Sequence, residues 1–159
     1  MLVLIAAVGN QNQIGLEGKM TWRNKEDLQF FKEMTLNNKV VFGRKTYLEM
    51  PKLTGREIYI VSKKSNELNT ITDFDSFLVQ HKNDDELFFI AGGQQIYEQA
   101  LKYCNILLIS RINYDGNADT FFPYFCKSMY ELITYTMNTF TLEVYIRKDY
   151  NNEYDRNNR

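Results

Sequence analysis

Proline is nearly absent from this sequence, standing only at Pro51 and Pro123. The entries to loops and helices that proline would stiffen by fixing φ are therefore left to other residues. Histidine is scarcer still, with His81 alone. One histidine and no Cys/His cluster argue against a catalytic zinc site and against a Ser-His-Asp triad, and no metal site is expected. The two cysteines, Cys104 and Cys126, have neither metal-ligand nor CxxC spacing. Both are expected as reduced core thiols in a cytosolic setting. Charge of one sign is lacking too: 19 basic and 20 acidic side chains give a formal net charge of −1. Without a basic stripe, no nucleic-acid partner is expected. No apolar run approaches the roughly 20 residues that span a bilayer, so no membrane association is expected either. The opening run 1–8 is apolar, but it lacks a charged flank and is too short for a signal peptide. It reads as a buried first strand, and the expected compartment is the cytoplasm.

What is present fits one compact domain. The chain has 159 residues, 44% hydrophobic and 25% charged, an ordinary globular composition. Short apolar strands alternate with helical patterns, the signature of an α/β sandwich. Strands are expected near 2–8, 39–42, 57–62, 87–91 and 106–112, with a closing antiparallel pair near 131–137 and 140–148. Helical patterns fall near 25–36, 44–50, 73–80 and 94–102. No repeat, linker or composition shift divides the chain, so residues 1–150 read as one domain. The polar tail 151–159 is expected to fray. Two loops stand out: 9–23, long enough to suggest function, and 62–69, where Ser62-Lys63-Lys64-Ser65 follows a strand directly.

The helix near 25–36 opens with Asn24, a good N-cap, and Asp27 stands three residues on. At about 100° per residue, Leu28, Phe30, Phe31 and Met34 form an apolar stripe with Asp27 inside it. Two readings stay open. Asp27 is a capping acid at the positive end of the helix dipole, or it is a carboxylate among apolar side chains that needs a cationic or amidine-like ligand edge as its partner. In the second case burial raises its pKa and makes it a proton-handling group.

Strand 39–42 runs into Gly43-Arg44-Lys45-Thr46, and strand 87–91 into Gly92-Gly93-Gln94, each before a helix. Such turns offer free N–H groups to phosphate. Two of them, one carrying Arg44, Lys45 and Thr46, fit a dinucleotide pyrophosphate. Neither G-x-G-x-x-G nor G-x-x-x-x-G-K-[ST] occurs, which disfavours an ordinary Rossmann site or P-loop. Ser62-Lys63-Lys64 fits a further phosphate, hence NADPH rather than NADH, or else is a solvated loop. His81 is expected as a solvated helix-end residue, and the 11 tyrosines and 11 phenylalanines as packing.

Taken together, Leu4-Ile5-Ala6-Ala7, Ile14-Gly15, Met20 with Trp22, Asp27-Leu28 with Phe31-Lys32, Gly43-Arg44-Lys45-Thr46-Tyr47, Gly55-Arg56, Ile90-Ala91-Gly92-Gly93 leading to Ile96-Tyr97, and Asp119-Thr120 before Phe122-Pro123 resemble the dihydrofolate reductase family from residue 1 to about 149. The resemblance implies a three-layer α/β fold with a mixed, mostly parallel eight-stranded sheet and four helices. It implies reduction of 7,8-dihydrofolate with NADPH by a monomer that antifolates would inhibit. Asp27 would be the acid of the pterin pocket, with Trp22 and Met20 beside the chemistry. Ile5 and Ala91 would contribute backbone carbonyls, and Leu28, Phe31 and Met50 would line the pocket. Ser110 would stand near Asp27, where the family usually has threonine. Arg56 would clamp the glutamate tail, with weaker help from Lys32 and Lys52. Ala7, Ile14, Gly15, Leu16, Gly18 and Lys19 would flank nicotinamide and ribose, the 15–18 loop and Met20 serving as a lid. The pyrophosphate region would fall to Gly43, Arg44, Lys45 and Thr46 on one side, and on the other to Gly92, Gly93, Gln94, Gln95, Ile96 and Tyr97. Ser62 and Lys63 would meet the 2′-phosphate.

The sequence departs from that pattern at Thr21, Lys25 and Thr54, each where the family usually carries proline. No chemical group is lost, but a looser lid is expected. Two rivals remain: the reductase domain of riboflavin biosynthesis, which shares the fold without needing Asp27 or the Met20/Trp22 lid, and a non-catalytic nucleotide-binding protein that keeps the fold.

Overall fold

A computed structural model describes residues 1–64, 69–150 and 156. The tail expected to fray lies outside these residues except for Arg156, and so does the 65–68 part of the second loop. In chain order the elements are β1 (Leu2–Val8), β2 (Gln13–Gly15), α1 (Lys25–Thr35), β3 (Lys39–Gly43), α2 (Arg44–Glu49), β4 (Glu57–Val61) and β5 (Thr70–Ile71). There follow α3 (Phe74–His81), β6 (Phe88–Ile90), α4 (Gln94–Ala100), β7 (Ile106–Ile112), β8 (Thr120–Phe121), β9 (Tyr130–Thr136) and β10 (Phe140–Arg147). Eight strands form one sheet in the order β5-β4-β3-β6-β1-β7-β10-β9. Only β10 runs against the others.

The sheet is covered on both faces, which explains why β1 and β7 read as nearly unbroken apolar runs. Side chains alternate across the sheet. Leu2, Leu4, Ala6 and Val8 of β1 therefore join Phe74 and Leu78 of α3 and Ile96, Tyr97 and Ala100 of α4 in one core. Val3 and Ile5 join Val40, Phe42, Phe89 and Leu108 in the other, against which Phe30 and Phe31 of α1 pack. Leu4, Ile90 and Leu107 are wholly buried, and each such side chain contributes about 1.5–3 kcal/mol. No helix among the described residues is long and apolar enough to cross a membrane.

The eighth strand of the main sheet, β5, has two residues, too few for an alternation to be visible in sequence. Within the long loop, β2 pairs with β8 as a separate ribbon. The helix expected over 94–102 ends at Ala100 and finishes as a 3₁₀ turn, Leu101–Tyr103.

Two expectations need correction. His81 is not solvated: its ring lies 4.5 Å from that of Phe77 and 4.7 Å from that of Phe88, and Nδ1 is 2.8 Å from the Asp84 carboxylate. Phe77 precedes it by one helical turn, and that contact takes the ring out of water. Cys104 is a buried thiol, which burial pushes up to about 12. Cys126, by contrast, is exposed, because the link before β9 has no sheet over it. A hydrogen bond with Ser128 holds its thiol below the usual value.

Candidate active site

Asn24 caps α1 by accepting the Asp27 backbone N–H at 2.9 Å. The backbone of Asp27 thus serves the cap, while its side chain is left for other work. That side chain is buried, with 7% of the residue exposed. No cation pairs with it among the described residues. Burial raises its pKa, and a hydrogen bond from the Ser110 side chain on β7 partly opposes the rise. Ser110 is itself buried and shares its face of β7 with Leu108 and Ile112, the face turned toward α1.

The apolar stripe drawn from sequence is only half right. Phe30 and Phe31 pack on the sheet, but Leu28 and Met34 are exposed. Sheet lies beneath α1 on one side only, and Asp27 and Thr35 are the helix residues fully buried there. Glu26 turns the other way and holds the β9–β10 turn. Its carboxylate accepts the Thr139 N–H and hydroxyl, each at 2.8 Å.

The strand order sets the other groups in a row. Reading across β7, β1, β6, β3 and β4, the strand ends present Ser110, Ala7, then Ala91-Gly92-Gly93, then Gly43-Arg44, then Ser62-Lys63. Adjacent strands lie about 4.8 Å apart, so β1 to β4 spans about 14 Å, a fitting length for an extended dinucleotide. The two glycine turns touch each other: the Gly43 N–H donates to the Gly92 carbonyl at 2.8 Å. The Gly92–Gly93 peptide is cis, and Gly92 has φ +113°. A Cβ on Gly93 would come 2.8 Å from Thr46 Oγ1, and one on Gly43 would come 3.0 Å from Ile96. This is a cradle that side chains would fill, as a group held by backbone N–H donors requires. Arg44, Lys45, Lys63 and Gln95 are exposed along it.

Ile96 and Tyr97, expected with the cofactor, are buried beneath these glycines. The Tyr97 hydroxyl donates to the Ile5 carbonyl at 2.9 Å. Burial, with the Asp27 charge nearby, holds that phenol well above its usual pKa. Gln94 is half-buried, and its side chain accepts the Phe121 N–H at 3.1 Å.

The lid segment is a short hairpin. Leu16 and Lys19 exchange backbone hydrogen bonds of 2.8 and 3.0 Å around Glu17 and Gly18, both at positive φ. Asp119 grips its base: its N–H donates to the Gly15 carbonyl at 3.0 Å and its carboxylate accepts the Glu17 N–H at 2.9 Å. Gly15 is buried and Ile14 half-buried, while Gly18 and Met20 are exposed. Trp22 packs on Tyr114 with ring centroids 5.2 Å apart. The Trp22 Nε1 and Thr21 Oγ1 atoms are buried without a partner among the described residues. Buried donors of this kind call for a further partner.

Arg56 lies at the far end of α1. Its Nε donates to the Thr54 carbonyl at 3.1 Å and Nη1 to Thr35 Oγ1 at 3.4 Å. Lys32 and Lys52 are exposed, and Met50 packs half-buried on the α1-side core. An open depression of about 730 Å3 behind Arg56 is lined by Lys39, Glu57 and Glu86 as well. Its two cations face two carboxylates, with Lys39 paired to Glu86, so it has no excess charge to attract an anion.

The dihydrofolate reductase family model matches residues 1–151. The chain belongs to the dihydrofolate reductase family. It is 33% identical over 131 residues to the dihydrofolate reductase of Mycoplasma genitalium, covering 76% of this chain and 82% of that one. It is 26% identical to the Bacillus subtilis enzyme over 98% of this chain and 90% of that one. A solved Enterococcus faecalis dihydrofolate reductase, complexed with NADP(H) and RAB-propyl, superposes with a TM-score of 0.82. That match has 26% identity and covers 94% of this chain and 97% of the other. The expected family and fold are borne out. For this reductase, residue reading singled out Asp27 and the glycine turns, but it missed the grip of Asp119 and the bond from Tyr97 to Ile5. Both need tertiary contacts that no spacing announces.

Proposed function

We propose that this reductase converts 7,8-dihydrofolate to 5,6,7,8-tetrahydrofolate with NADPH, and that Asp27 is the acid that serves the pterin. The observation that carries the residue assignment is the Asp27 carboxylate, buried at the head of the row of strand ends with no cation paired to it among the described residues. A pterin offers it the 2-amino group and N3 as donors, a paired edge that offsets the burial of the charge. The Ile5 carbonyl keeps a second lone pair for the ligand beside its bond from Tyr97, and Ala91 ends the neighbouring strand. Leu28, Phe31 and Met50 line the pterin and benzoyl region. The free part of the Arg56 fork takes the tail carboxylate, with Lys32 and Lys52 nearby.

NADPH, when bound, supplies the hydride. Ala7, Ile14 and Gly15 through Lys19 flank its nicotinamide end. Gly43 to Thr46 and Gly92 to Gln95 hold its pyrophosphate, while Ser62 and Lys63 take the 2′-phosphate. The chain's own part in the chemistry is electrostatic. A negative Asp27 favours the pterin protonated at N5, and Met20 and Trp22 exclude water as the lid closes. The same carboxylate would hold the amidine-like edge of an antifolate. In this reading residues 1–150 act as a single catalytic domain, and the enzyme works as a monomer in the cytoplasm.

The test is the loss of NADPH near-UV absorbance on adding dihydrofolate, set against a pyrimidine precursor of riboflavin. Turnover of dihydrofolate alone is expected. Turnover of the pyrimidine alone would overturn the substrate assignment.

A further inference from the structure

The root of the lid is held by a residue outside the site. Arg111 follows Ser110 in β7, so its side chain leaves the sheet on the opposite face. It makes four hydrogen bonds there. Nε and Nη2 each meet one oxygen of the Glu143 carboxylate on β10 at 3.1 Å, a bidentate pair. Nη1 donates to the Gly9 carbonyl and to Asn12 Oδ1, both at 2.8 Å. Glu143 is steadied in turn by the Tyr145 hydroxyl at 2.9 Å. Burial alone would raise the Glu143 carboxyl, but the bonds from Arg111 and Tyr145 and the arginine's charge bring it below the usual value.

The two residues that Arg111 holds are the first turn of the loop. Gly9 accepts the Asn12 N–H at 3.1 Å, closing that turn with Asn12 at φ +64°. Gln13, almost wholly buried, completes the knot: its carbonyl accepts the Gly9 N–H at 2.9 Å, and its side chain accepts the Gln11 N–H at 2.8 Å and donates to the Gly116 carbonyl at 3.2 Å. Past Gln13 the character changes. Residues 17–20 are exposed, and the Asp119 carboxylate grips the hairpin at the Glu17 N–H.

We propose that Arg111 is a positioning residue that fixes the lid's root, so that closure pivots beyond Gln13 rather than at Gly9. The register explains why this matters to the reaction. Ala7 pairs with Ser110 and Val8 with Arg111, so the clamp stands one residue beyond the level of Ala7, and Ile14 follows the knot directly. A root free to shift would move both walls assigned to the nicotinamide. This inference rests on the reductase reading for its rate effects, but not for its binding effects.

The experiment compares wild type with Arg111→Lys, which keeps the charge but cannot span Glu143 and the turn together. Asn12→Gly removes one of the two lid-side acceptors, leaving the Gly9 carbonyl, and keeps the positive φ accessible, while Asn12→Asp keeps both. NADPH affinity is read without turnover from the fluorescence of Trp22, the single tryptophan, which sits at the lid's far end. Hydride transfer is read in a single turnover. Arg111→Lys and Asn12→Gly are expected to weaken NADPH binding and slow hydride transfer on the order of ten-fold. Asn12→Asp should restore both, with dihydrofolate KM and the pH profile of the step unchanged. Should Arg111→Lys fail to fold, Asn12→Gly carries the comparison, since it leaves the Arg111–Glu143 pair intact. A lowered Tm with NADPH affinity and hydride rate within about two-fold of wild type would mean that Arg111 merely staples the sheet. Absence of any wild-type turnover, with NADPH binding still weakened in Asn12→Gly, would sink the substrate reading and leave the clamp standing.

Discussion

Tyr97 reaches from α4 to the first strand of the sheet and donates its hydroxyl to the Ile5 carbonyl at 2.9 Å. The phenol is buried directly beneath Gly92, whose added Cβ would lie 3.1 Å from that oxygen. Tyr97→Phe would leave the Ile5 carbonyl without its donor. A loss of about 1–3 kcal/mol is expected in denaturant unfolding, with weaker dihydrofolate binding and an unchanged NADPH Kd. Weakening confined to NADPH would place Tyr97 with the cofactor, and equal weakening of both ligands would leave its bond to Ile5 a purely structural one.

Asp27→Asn separates the two readings of that residue. Asparagine caps as well as aspartate, and the cap uses the backbone N–H in either case. Turnover at neutral pH should fall about a hundred-fold or more, recovering in part in acid, where solution protons load N5. Stability should move the opposite way. A carboxyl whose folded pKa is raised holds its proton where the unfolded chain has lost it, so the wild type loses stability as pH rises from the ordinary carboxylate value through the raised one. The variant lacks that loss. Parallel Tm–pH curves for the two proteins would show that Asp27 carries no such burden.

Ser110→Ala removes a hydrogen-bond donor that draws the Asp27 pKa down. The apparent pKa of hydride transfer should then climb, because the ionised carboxylate loses a hydrogen-bond donor while its burial remains. A profile that stays in place would mean that Ser110 does not reach the ionised carboxylate in solution.

Arg56→Lys tests the tail site. Dihydrofolate KM should rise on the order of ten-fold, because an ammonium cannot form the planar fork, while a pterin without the glutamate tail is barely affected. If both substrates suffer alike, Arg56 serves only to tie Thr54 to Thr35.

Cofactor choice tests Ser62 and Lys63. NADPH should bind more tightly than NADH at low salt, with the gap narrowing as salt rises, since Arg44 and Lys63 are exposed and screened. Lys63→Gln should shrink the preference at every salt concentration. Equal affinities in the wild type at low salt would remove the 2′-phosphate from this loop.

Much of the scaffold was legible because its signals are local. β1 and β7 are apolar runs that only a sheet covered on both faces would accept, and Asn24 announces α1. Asp27 was visible as an acid inside an apolar helix. Which of its neighbours would be covered was not, because Leu28 and Met34 depend on where the sheet ends beneath the helix. His81 was misjudged from its polar neighbours in sequence, although Phe77, one turn earlier, was a readable signal. Arg111 is the single charge of β7, and Glu143 is a charge in the middle of β10, which ends on Arg147. Their pairing depends on the register of β7 with β10, which neither strand encodes by itself.

The strand order has a mechanical consequence. Groups from residue 7 to residue 95 line one row, drawn from strands that are neighbours in the sheet but far apart along the chain. A single bound dinucleotide laid on that row acts as a crossbeam over the ends of β1, β6, β3 and β4. Local fraying at any of those ends must then break contacts with the beam, so ligand binding resists partial opening as well as global unfolding. The edge half of the sheet, ending in the two-residue β5, has the least protein beyond it and gains the most from being tied to the centre.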